Sequence, residues 1–556
     1  MAEQVRVTFL GGLGDIGRNC AAIETGEALL LLDCGLMFAG EDRPGVESVL
    51  PDLSYVFERS RKVVGCIATH GHEDHVGALS HLLARVRCDI YGTPFTLGLA
   101  RRRVTESGYV DRAQFIPVAD GERVRIGPFD CEFVPVTHSV PGGVITAIST
   151  PQGVLLHSCD FKLDFFPVDG RRTDLARIGA ISQDPGVRLL LADSTNAEQP
   201  GSSRSESDIG PVLSRVFAAN SGRRVVAACF ASHLHRVQQI IVAAAADGRF
   251  VATLGLSMKK NVSLGRELGL LRAPDGAFVD ISETAGIPPG ELCVISTGSQ
   301  AEERSSLASA AAGDSRWIQI GADDTVVLSS NPIPGNEFRV SRMINDLIER
   351  GARVVHSGEI EIHTSGHGRQ DELAALHQAA SPEWFVPVHG ELRHLRAHAA
   401  LARRLGMAEE RVLVARDGDQ LVLTDAGIQL APGACAGDHV LVHGPFTGAD
   451  RGVLDERLTL GRQGVVVATV AVDFKAAAMV GEPQVTSRGW LDEPDADPLE
   501  VEIEKELAAA VAKLLAAEPQ ADAAEVRRVV RRTVGTLVAN RSQRRPTIVP
   551  LVVPAG

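Results

Sequence analysis

Four potential metal ligands fall within six residues at His70-Gly71-His72-Glu73-Asp74-His75. The segment directly follows an apolar stretch ending at Ala68 and directly precedes the helical pattern Val76 to Val86. A loop lets His70 and His72 point the same way, and the first helical turn then sets Asp74 beside His75, aimed at a neighbouring point. Imidazole and carboxylate donors at that spacing suit two adjacent divalent cations, zinc or manganese. Further candidates stand just past other apolar runs: His138 after Phe133 to Val136, Asp160 after Val154 to His157, and His389 after Phe385 to Val388. A shared position after strands would bring all of them to one rim of a sheet.

The elements that must carry these residues read as layered α/β structure. Up to about residue 206, short apolar runs alternate with glycine-rich turns: Val5 to Leu10, Ala28 to Leu32, Val63 to Ala68, Phe133 to Val136, Val154 to His157 and Leu189 to Ala192. From Ser207 the pattern changes to helices over Gly210 to Asn220 and Arg236 to Asp247, alternating with buried strands Arg224 to Ala228 and Phe250 to Leu254. Near Ser365 the glycine- and histidine-rich loops return, followed by the strand Trp384 to Val388 and a helix over His394 to Leu405. The middle unit therefore reads as an insertion into the first domain. A loop-rich stretch, Ala431 to Arg451, leads to a final α+β segment. There a strand covers Val465 to Asp473, helices run from about Pro498 to Ala517 and Ala521 to Ala539, and a strand over Thr547 to Val553 closes the chain. The acidic, proline-containing run Asp492 to Asp497 reads as an exposed connection.

Composition narrows the function classes. The 556 residues are 44% hydrophobic and 23% charged, which excludes a disordered or fibrous chain. A net charge of −14 argues against wholesale coating of nucleic acid but leaves room for a local basic cleft. Nine cysteines without a Cys-x-x-Cys pair read as small buried residues in a reducing cytosol. No long uncharged apolar run and no basic, apolar leader at Met1 point to an unexported cytoplasmic protein with no membrane partner.

A competing motif is Gly12-Leu13-Gly14-Asp15-Ile16-Gly17, which follows the strand Val5 to Leu10 and has Asp33 about twenty residues on. A dinucleotide fingerprint needs a helix after its second glycine. Arg18 to Glu24, followed by Thr25-Gly26-Glu27, instead reads as a strand entering a hairpin turn.

His70-x-His72-x-Asp74-His75 with His138, Asp160 and His389 resembles the metal set of the metallo-β-lactamase fold, and the inserted unit resembles its β-CASP nuclease branch. Within that branch the chain is similar to the ribonuclease J family, on segments spread from end to end. They are Gly11 to Asn19, Asp193 to Ala197, Phe230 to Arg236, Thr297 to Gln300, Pro332 to Glu337, His363 to His367, Pro387 to Glu391, and the tail segments from Arg531 and Arg545. The resemblance implies an αββα metallo-β-lactamase sandwich with an inserted β-CASP α/β domain and a small α+β C-terminal domain. The corresponding boundaries are 1–206 and 363–430 for the sandwich, 207–362 for the insert, 431–450 for a linker and 451–556 for the last domain.

It further implies an enzyme of RNA maturation and mRNA decay that degrades single-stranded RNA from a 5′-monophosphate end and also cuts internally. His70, His72 and His138 would hold one divalent ion, Asp74, His75 and His389 a second, with Asp160 bridging; zinc is the first expectation and manganese the other. Asp193 would orient a ligating histidine, and His367 would contact the scissile phosphate and assist departure of the 3′-oxygen, with Asp74 completing the catalytic set. The loop His363, Thr364, Ser365, Gly366 and His367 would hold phosphate through N–H, hydroxyl and imidazole donors. Ser232, His235 and Arg236 are candidates for the 5′-phosphate pocket. A homodimer or homotetramer through the last domain, and membership of an RNA-decay complex, are the expected assemblies.

Four positions depart from the family pattern: Gly142 stands where an aspartate is usual, Leu256 where an arginine is usual, Ala301 where a glycine is usual and Glu303 where a proline is usual. These bear on RNA affinity and end discrimination and leave every metal ligand in place. Two other functions compete. A small-molecule hydrolase with the same metal pair leaves the insert unexplained, and a feebly active RNA-binding scaffold leaves the retained ligands unexplained. Basic groups at Arg101-Arg102-Arg103, Arg223-Arg224, Lys259-Lys260 and Arg403-Arg404 could line an RNA path.

Overall fold

A computed structural model describes residues 3–555 apart from 41, 303, 304, 334, 445, 449 and 450. Contacts divide the chain into one unit of residues 1–38 and 48–440 and a second of 39–47 and 441–556. Residues 39–47 thus join the last domain rather than the first, and 431–440 stay with the larger unit.

Two sheets form the sandwich of the larger unit. One runs in the order Gly427–Ala431, Gln420–Thr424, Val5–Gly11, Cys20–Thr25, Ala28–Leu32, Val63–Ile67, Ile90–Gly92, Phe115–Pro117. The other runs Arg123–Ile126, Phe129–Pro135, Val144–Thr150, Gly153–His157, Val187–Asp193, Trp384–Val388. Their facing sides share one core, in which Val7, Phe9, Leu30 and Leu32 join Phe133, Ile148, Leu155, Leu191 and Val386. On the far side of the second sheet, Leu156, Leu190 and Phe385 are buried with Leu373, Leu376, Ala399 and Leu401 of helices Gln370–Ala380 and Leu392–Arg404. Strands this apolar on both sides require helices as cover, which produces the αββα layering.

Strand direction explains why the candidate ligands meet. Ala28–Leu32 is parallel to Val63–Ile67, and Gly153–His157, Val187–Asp193 and Trp384–Val388 form a parallel run. The chain leaves these strands at their carboxyl ends, the usual place for a site in a parallel arrangement.

The inserted unit is a five-stranded parallel sheet, in the order Phe250–Leu254, Leu292–Ser296, Arg224–Ala228, Asp324–Leu328, Arg353–His356. Two clusters cover it, one containing Val216, Phe217, Ile240 and Ile241 and the other Leu307, Ala310, Met343 and Leu347.

In the second unit, Val465–Asp473 pairs with Gln484–Arg488 and Thr547–Pro554. Its alternate residues Val466, Ala468, Val470 and Val472 are buried with Ile503, Leu507, Val530 and Val534 of two long helices, Glu493–Ala517 and Ala523–Ser542. The acidic run expected to be a connection is therefore the start of a helix, with Asp492 at its N-cap position. Pro494 lies in the first turn, where the missing N–H has no helical partner to lose. The stretch expected to be loop-rich carries the strand His439–His443. Its Pro445, Ala449 and Asp450 lie outside the described residues.

Candidate metal centre

The ligand-bearing loop is fixed from beneath by Asp33 to Leu36. Cys34 N–H donates to His75 O at 2.8 Å and Leu36 N–H to Glu73 O at 2.9 Å. A Cβ on Gly35 would stand 1.6 Å from Asp74 O, so only glycine lets the loop lie this close. Asp33 accepts from Thr69 N–H and Oγ1, both at 2.8 Å, and from His75 Nδ1 at 2.8 Å. It thereby turns the other ring nitrogen, Nε2, inward, where it lies 3.2 Å from Asp160 Oδ2.

The expected ligands form two groups of donors sharing Asp160, His70, His72 and His138 in one and Asp74, His75 and His389 in the other, and a third group joins Asp160 and His389 to Asp193 and His367. Within each group the ligand atoms lie within 4.8 Å of one another. His72 Nδ1 is 3.1 Å from both His70 Nε2 and His138 Nε2. His138 Nδ1 donates to Gly366 O at 2.7 Å, which leaves a lone pair on Nε2. His389 Nε2 lies 3.2 Å from Asp74 Oδ2, while its Nδ1 meets Thr195 Oγ1 at 2.7 Å and Asp193 Oδ1 at 3.3 Å. Buried nitrogen and carboxylate donors converging in this way fit divalent cations such as zinc.

Three of the residues that aim these groups, Asp33, Cys159 and His389, have left-handed backbone, with φ of 59°, 59° and 54°. Such backbone costs a non-glycine residue about 1–3 kcal/mol, held here by the surrounding hydrogen bonds.

The two groups differ electrostatically. Burial pushes His70 and His138 well below the ordinary imidazole value and His72 down to about 4, leaving neutral rings. Burial also opposes charge on His75 and His389, but surrounding carboxylates overcome it: Asp160, Asp33 and Asp74 for His75, and Asp160, Asp193 and Asp74 for His389. His75 is held well above its usual value and His389 at about 10. A cation entering the second group would have to displace these protons.

His367 stands beside this centre. Burial disfavours its charged form, yet Asp193 Oδ2, 2.8 Å from its Nδ1, raises its pKa above the ordinary value. Asp193 thus bears on both His367 and His389. Gly366 supplies the carbonyl for His138 and has no room for a Cβ, which would stand 2.9 Å from that ring. The hydroxyls of Thr364 and Ser365, expected to face phosphate, are engaged within the protein. Thr364 Oγ1 donates to Arg204 O at 3.0 Å, and Ser365 Oγ accepts from Asn196 Nδ2 at 2.9 Å and His367 N–H at 3.1 Å. His363 is half-buried, and desolvation lowers its pKa to about 3.

The expected 5′-phosphate group divides. His235 lines a narrow cleft together with His138, Gly142, Lys162 and Arg171, and Ser232 is half-buried nearby in sequence. Arg236 does not join it. Its guanidinium is fully buried, bonded to both oxygens of Glu206 at 2.9 and 3.0 Å, to Gln239, to Ser329 and to Ile362 O. With its donors taken up inside the protein, Arg236 acts as a clamp between segments.

Gly17 leads through Arg18 into the strand Cys20–Thr25 and not into a helix, so the glycine motif is no dinucleotide site. All nine cysteines are free. Gly142 has φ of 81°, and a Cβ there would stand 2.6 Å from Thr93 Oγ1. Leu256 is 69% exposed, Ala301 has left-handed backbone, and Glu303 lies outside the described residues. Several expected RNA-path cations are ion-paired: Arg103 with Glu73, Arg224 with Asp324, Lys259 with Asp280 and Lys260 with Glu106. Among the described residues no helix is long and apolar enough to cross a membrane.

Asp33, Asn19 and Thr195 join the site without having been expected there. Asn19 donates to Asp74 O at 3.1 Å. For Asp33 a signal existed, because it interrupts the most apolar stretch of the chain.

Four family models match the chain: the metallo-beta-lactamase superfamily over residues 13–196, the ribonuclease J beta-CASP domain over 222–347, the Zn-dependent metallo-hydrolase RNA specificity domain over 354–415, and the ribonuclease J C-terminal domain over 452–555. The ribonuclease J of Mycolicibacterium smegmatis is 41% identical, covering 99% of this chain and 97% of the relative. The ribonuclease J of Mycobacterium tuberculosis is also 41% identical, with the same coverage of both chains. Ribonuclease J 1 of Streptococcus pyogenes is 35% identical, covering 99% of this chain and 98% of the relative. A crystal structure of a protein of unknown function from Enterococcus faecalis aligns with a TM-score of 0.53 at 14% identity, over 76% of this chain and 100% of that one, and speaks to the fold alone.

Proposed function

The chain belongs to the ribonuclease J family, and from that premise we propose that it hydrolyses single-stranded RNA from 5′-monophosphate ends in the 5′-to-3′ direction and also cuts internally. Its setting would be RNA maturation and mRNA decay in the cytoplasm. Ribonuclease activity on a metallo-hydrolase fold is the coarser statement that family membership itself carries. The observation that supports the finer reading best is the convergence of two donor groups on Asp160 with His367 at their edge.

His70, His72, His138 and Asp160 would hold one divalent ion, and Asp74, His75, His389 and Asp160 the other, zinc first and manganese second. Such ions, when bound, supply an acidified water and charge stabilisation for an in-line phosphoryl displacement. The chain's own groups do the rest. Asp33 and Thr195, facing Nδ1 of His75 and of His389, fix the orientation of those rings. Asp193 keeps a proton on His367, whose ring nitrogen away from Asp193 is then a donor for the departing 3′-oxygen. His235, in the cleft beside His138, would meet a terminal phosphate. Segment 354–415, matched by a model described as an RNA specificity domain, contains the His363 to His367 loop. Assembly as a homodimer or homotetramer through the last domain, and entry into an RNA-decay complex, complete the proposal.

The test is digestion of one RNA labelled at its 5′ end, carrying a monophosphate or a triphosphate, with Mn²⁺ or Zn²⁺. Labelled mononucleotide released rapidly from the monophosphate form is the expected result, abolished by Asp74→Ala. Cleavage by Asp74→Ala at the wild-type rate with unchanged metal content would sink the site assignment, and equal rates on both ends would sink the end preference.

A further inference from the structure

Of the 18 phenylalanines in this aromatic-poor chain, two consecutive ones, Phe165 and Phe166, are 61% and 70% exposed. Single exposed apolar residues are ordinary, but an adjacent pair of large rings is not explained by that. The pair follows closely on the shared ligand Asp160, in a segment that is pinned at both ends. Before it, Lys162 N–H donates to Thr137 O at 2.9 Å, next to His138, and Leu163 N–H to Glu372 at 2.9 Å. At the pair itself, Asp164 accepts from Phe166 N–H at 3.0 Å, Ser205 Oγ at 2.7 Å and Glu206 N–H at 2.8 Å. Phe166 O accepts from Ser205 and Ser207. The rings are thus held outward by a fixed backbone. Slack in the chain does not explain their exposure.

Their surroundings indicate the occupant. The next residues, Pro167 to Asp169, form a wall of the cleft that His138, Lys162 and Arg171 also line. The exposed Arg172 places its guanidinium 5.9 Å from the Phe166 ring centre. An apolar face beside a cation, at the mouth of a cleft leading to a phosphate-cleaving centre, matches the two surfaces of a nucleotide, a flat base and a charged phosphate. A protein ligand would use the rings but has no need of the adjoining cleft.

We propose that Phe165 and Phe166 form a stacking shelf for an unpaired base of the RNA strand, with Arg172 meeting the neighbouring phosphate. This rests on the ribonuclease reading above. The shelf reads no sequence, because every base has a π-face, and it sets how a strand is held within a few nucleotides of the metal centre.

The test uses the full-length protein and a short 5′-monophosphorylated RNA, with binding followed by fluorescence anisotropy after chelation of metal and cleavage followed in Mn²⁺. Replacing both rings, as Phe165→Ala with Phe166→Ala, should raise Kd and KM for RNA about tenfold or more, the usual loss when a stacked base is released. Hydrolysis of bis(4-nitrophenyl) phosphate should be unchanged, and Phe165→Trp with Phe166→Trp should retain RNA affinity. A single abasic position moved along the RNA should weaken wild-type binding at one or two places and leave the double alanine variant insensitive. Unchanged Kd in that variant, or an abasic scan that is flat in the wild type, overturns the shelf and leaves the pair as a docking surface for protein. RNA binding with the expected abasic pattern but no cleavage would leave the shelf standing and remove the nuclease reading. Absence of RNA binding by the wild type overturns both.

Discussion

The sandwich and the inserted unit both end buried strands in polar residues, yet they use them differently. At or just past the ends of Gly153–His157, Val187–Asp193 and Trp384–Val388, the polar residues Asp160, Asp193 and His389 converge on one another. After Arg224–Ala228, the expected phosphate ligand Arg236 turns inward and binds Glu206. The lesson is that a cation near a strand end does not declare its partner. A guanidinium with a carboxylate 30 residues earlier in the chain is consumed as structure, whereas imidazoles crowded at 3.1 Å from one another have no such outlet and call for a cation.

The sharpest way to break this contrast is Arg236→Met. If the clamp is structural, the variant loses about 3–5 kcal/mol, because Glu206 is left buried without its guanidinium partner. Pairing it with Glu206→Leu should recover much of that loss, as followed by urea unfolding. A variant as stable as the wild type that had lost its preference for 5′-monophosphate ends would return Arg236 to the phosphate pocket.

A smaller effect is expected from Asp33→Asn on the opposite side of the comparison. Its carboxylate faces Nδ1 of His75 without being a ligand, so metal affinity should fall roughly 10–100-fold while the protein stays folded. Competition with a chromogenic chelator measures this; unchanged affinity would mean that Asp33 merely holds the Thr69 turn.

The smallest effect concerns a histidine of the sandwich that belongs to neither group. Burial lowers His377 to about 4, from the ordinary 6.5, and its Nδ1 has no hydrogen-bond partner. Below pH 6.5 the unfolded chain takes up a proton there that the folded chain refuses until about pH 4, so stability is present above that window and is lost as pH falls through it. Between about pH 7 and about pH 5.5 the loss from this group is roughly 1 kcal/mol. His377→Leu should flatten the profile by that amount, and an unaltered slope would place the acid sensitivity elsewhere.

Much of this was legible in the sequence. The strands Ala28–Leu32, Arg224–Ala228, Phe250–Leu254 and Trp384–Val388 have the bounds that their apolar runs mark, since a strand buried on both faces is largely apolar and stops where polarity begins. The first turn of the helix Glu493–Ala517 was obscured by Pro494, which signals a break unless its place in the first turn is considered. The exchange of residues 39–47 into the second unit left no local mark, because unit membership depends on partners far along the chain.

The sequence by itself determined which residues could be metal ligands, because donor chemistry and the spacing of His70, His72, Asp74 and His75 are local properties. It also determined the layered fold, through the burial pattern of each strand. Only the tertiary structure decided which polar residues are spent as support, such as Asp33 beneath His75 and Arg236 against Glu206. The physical reason is that a hydrogen bond or ion pair needs a partner within about 3 Å, and such proximity between distant segments exists only once the core has closed around them.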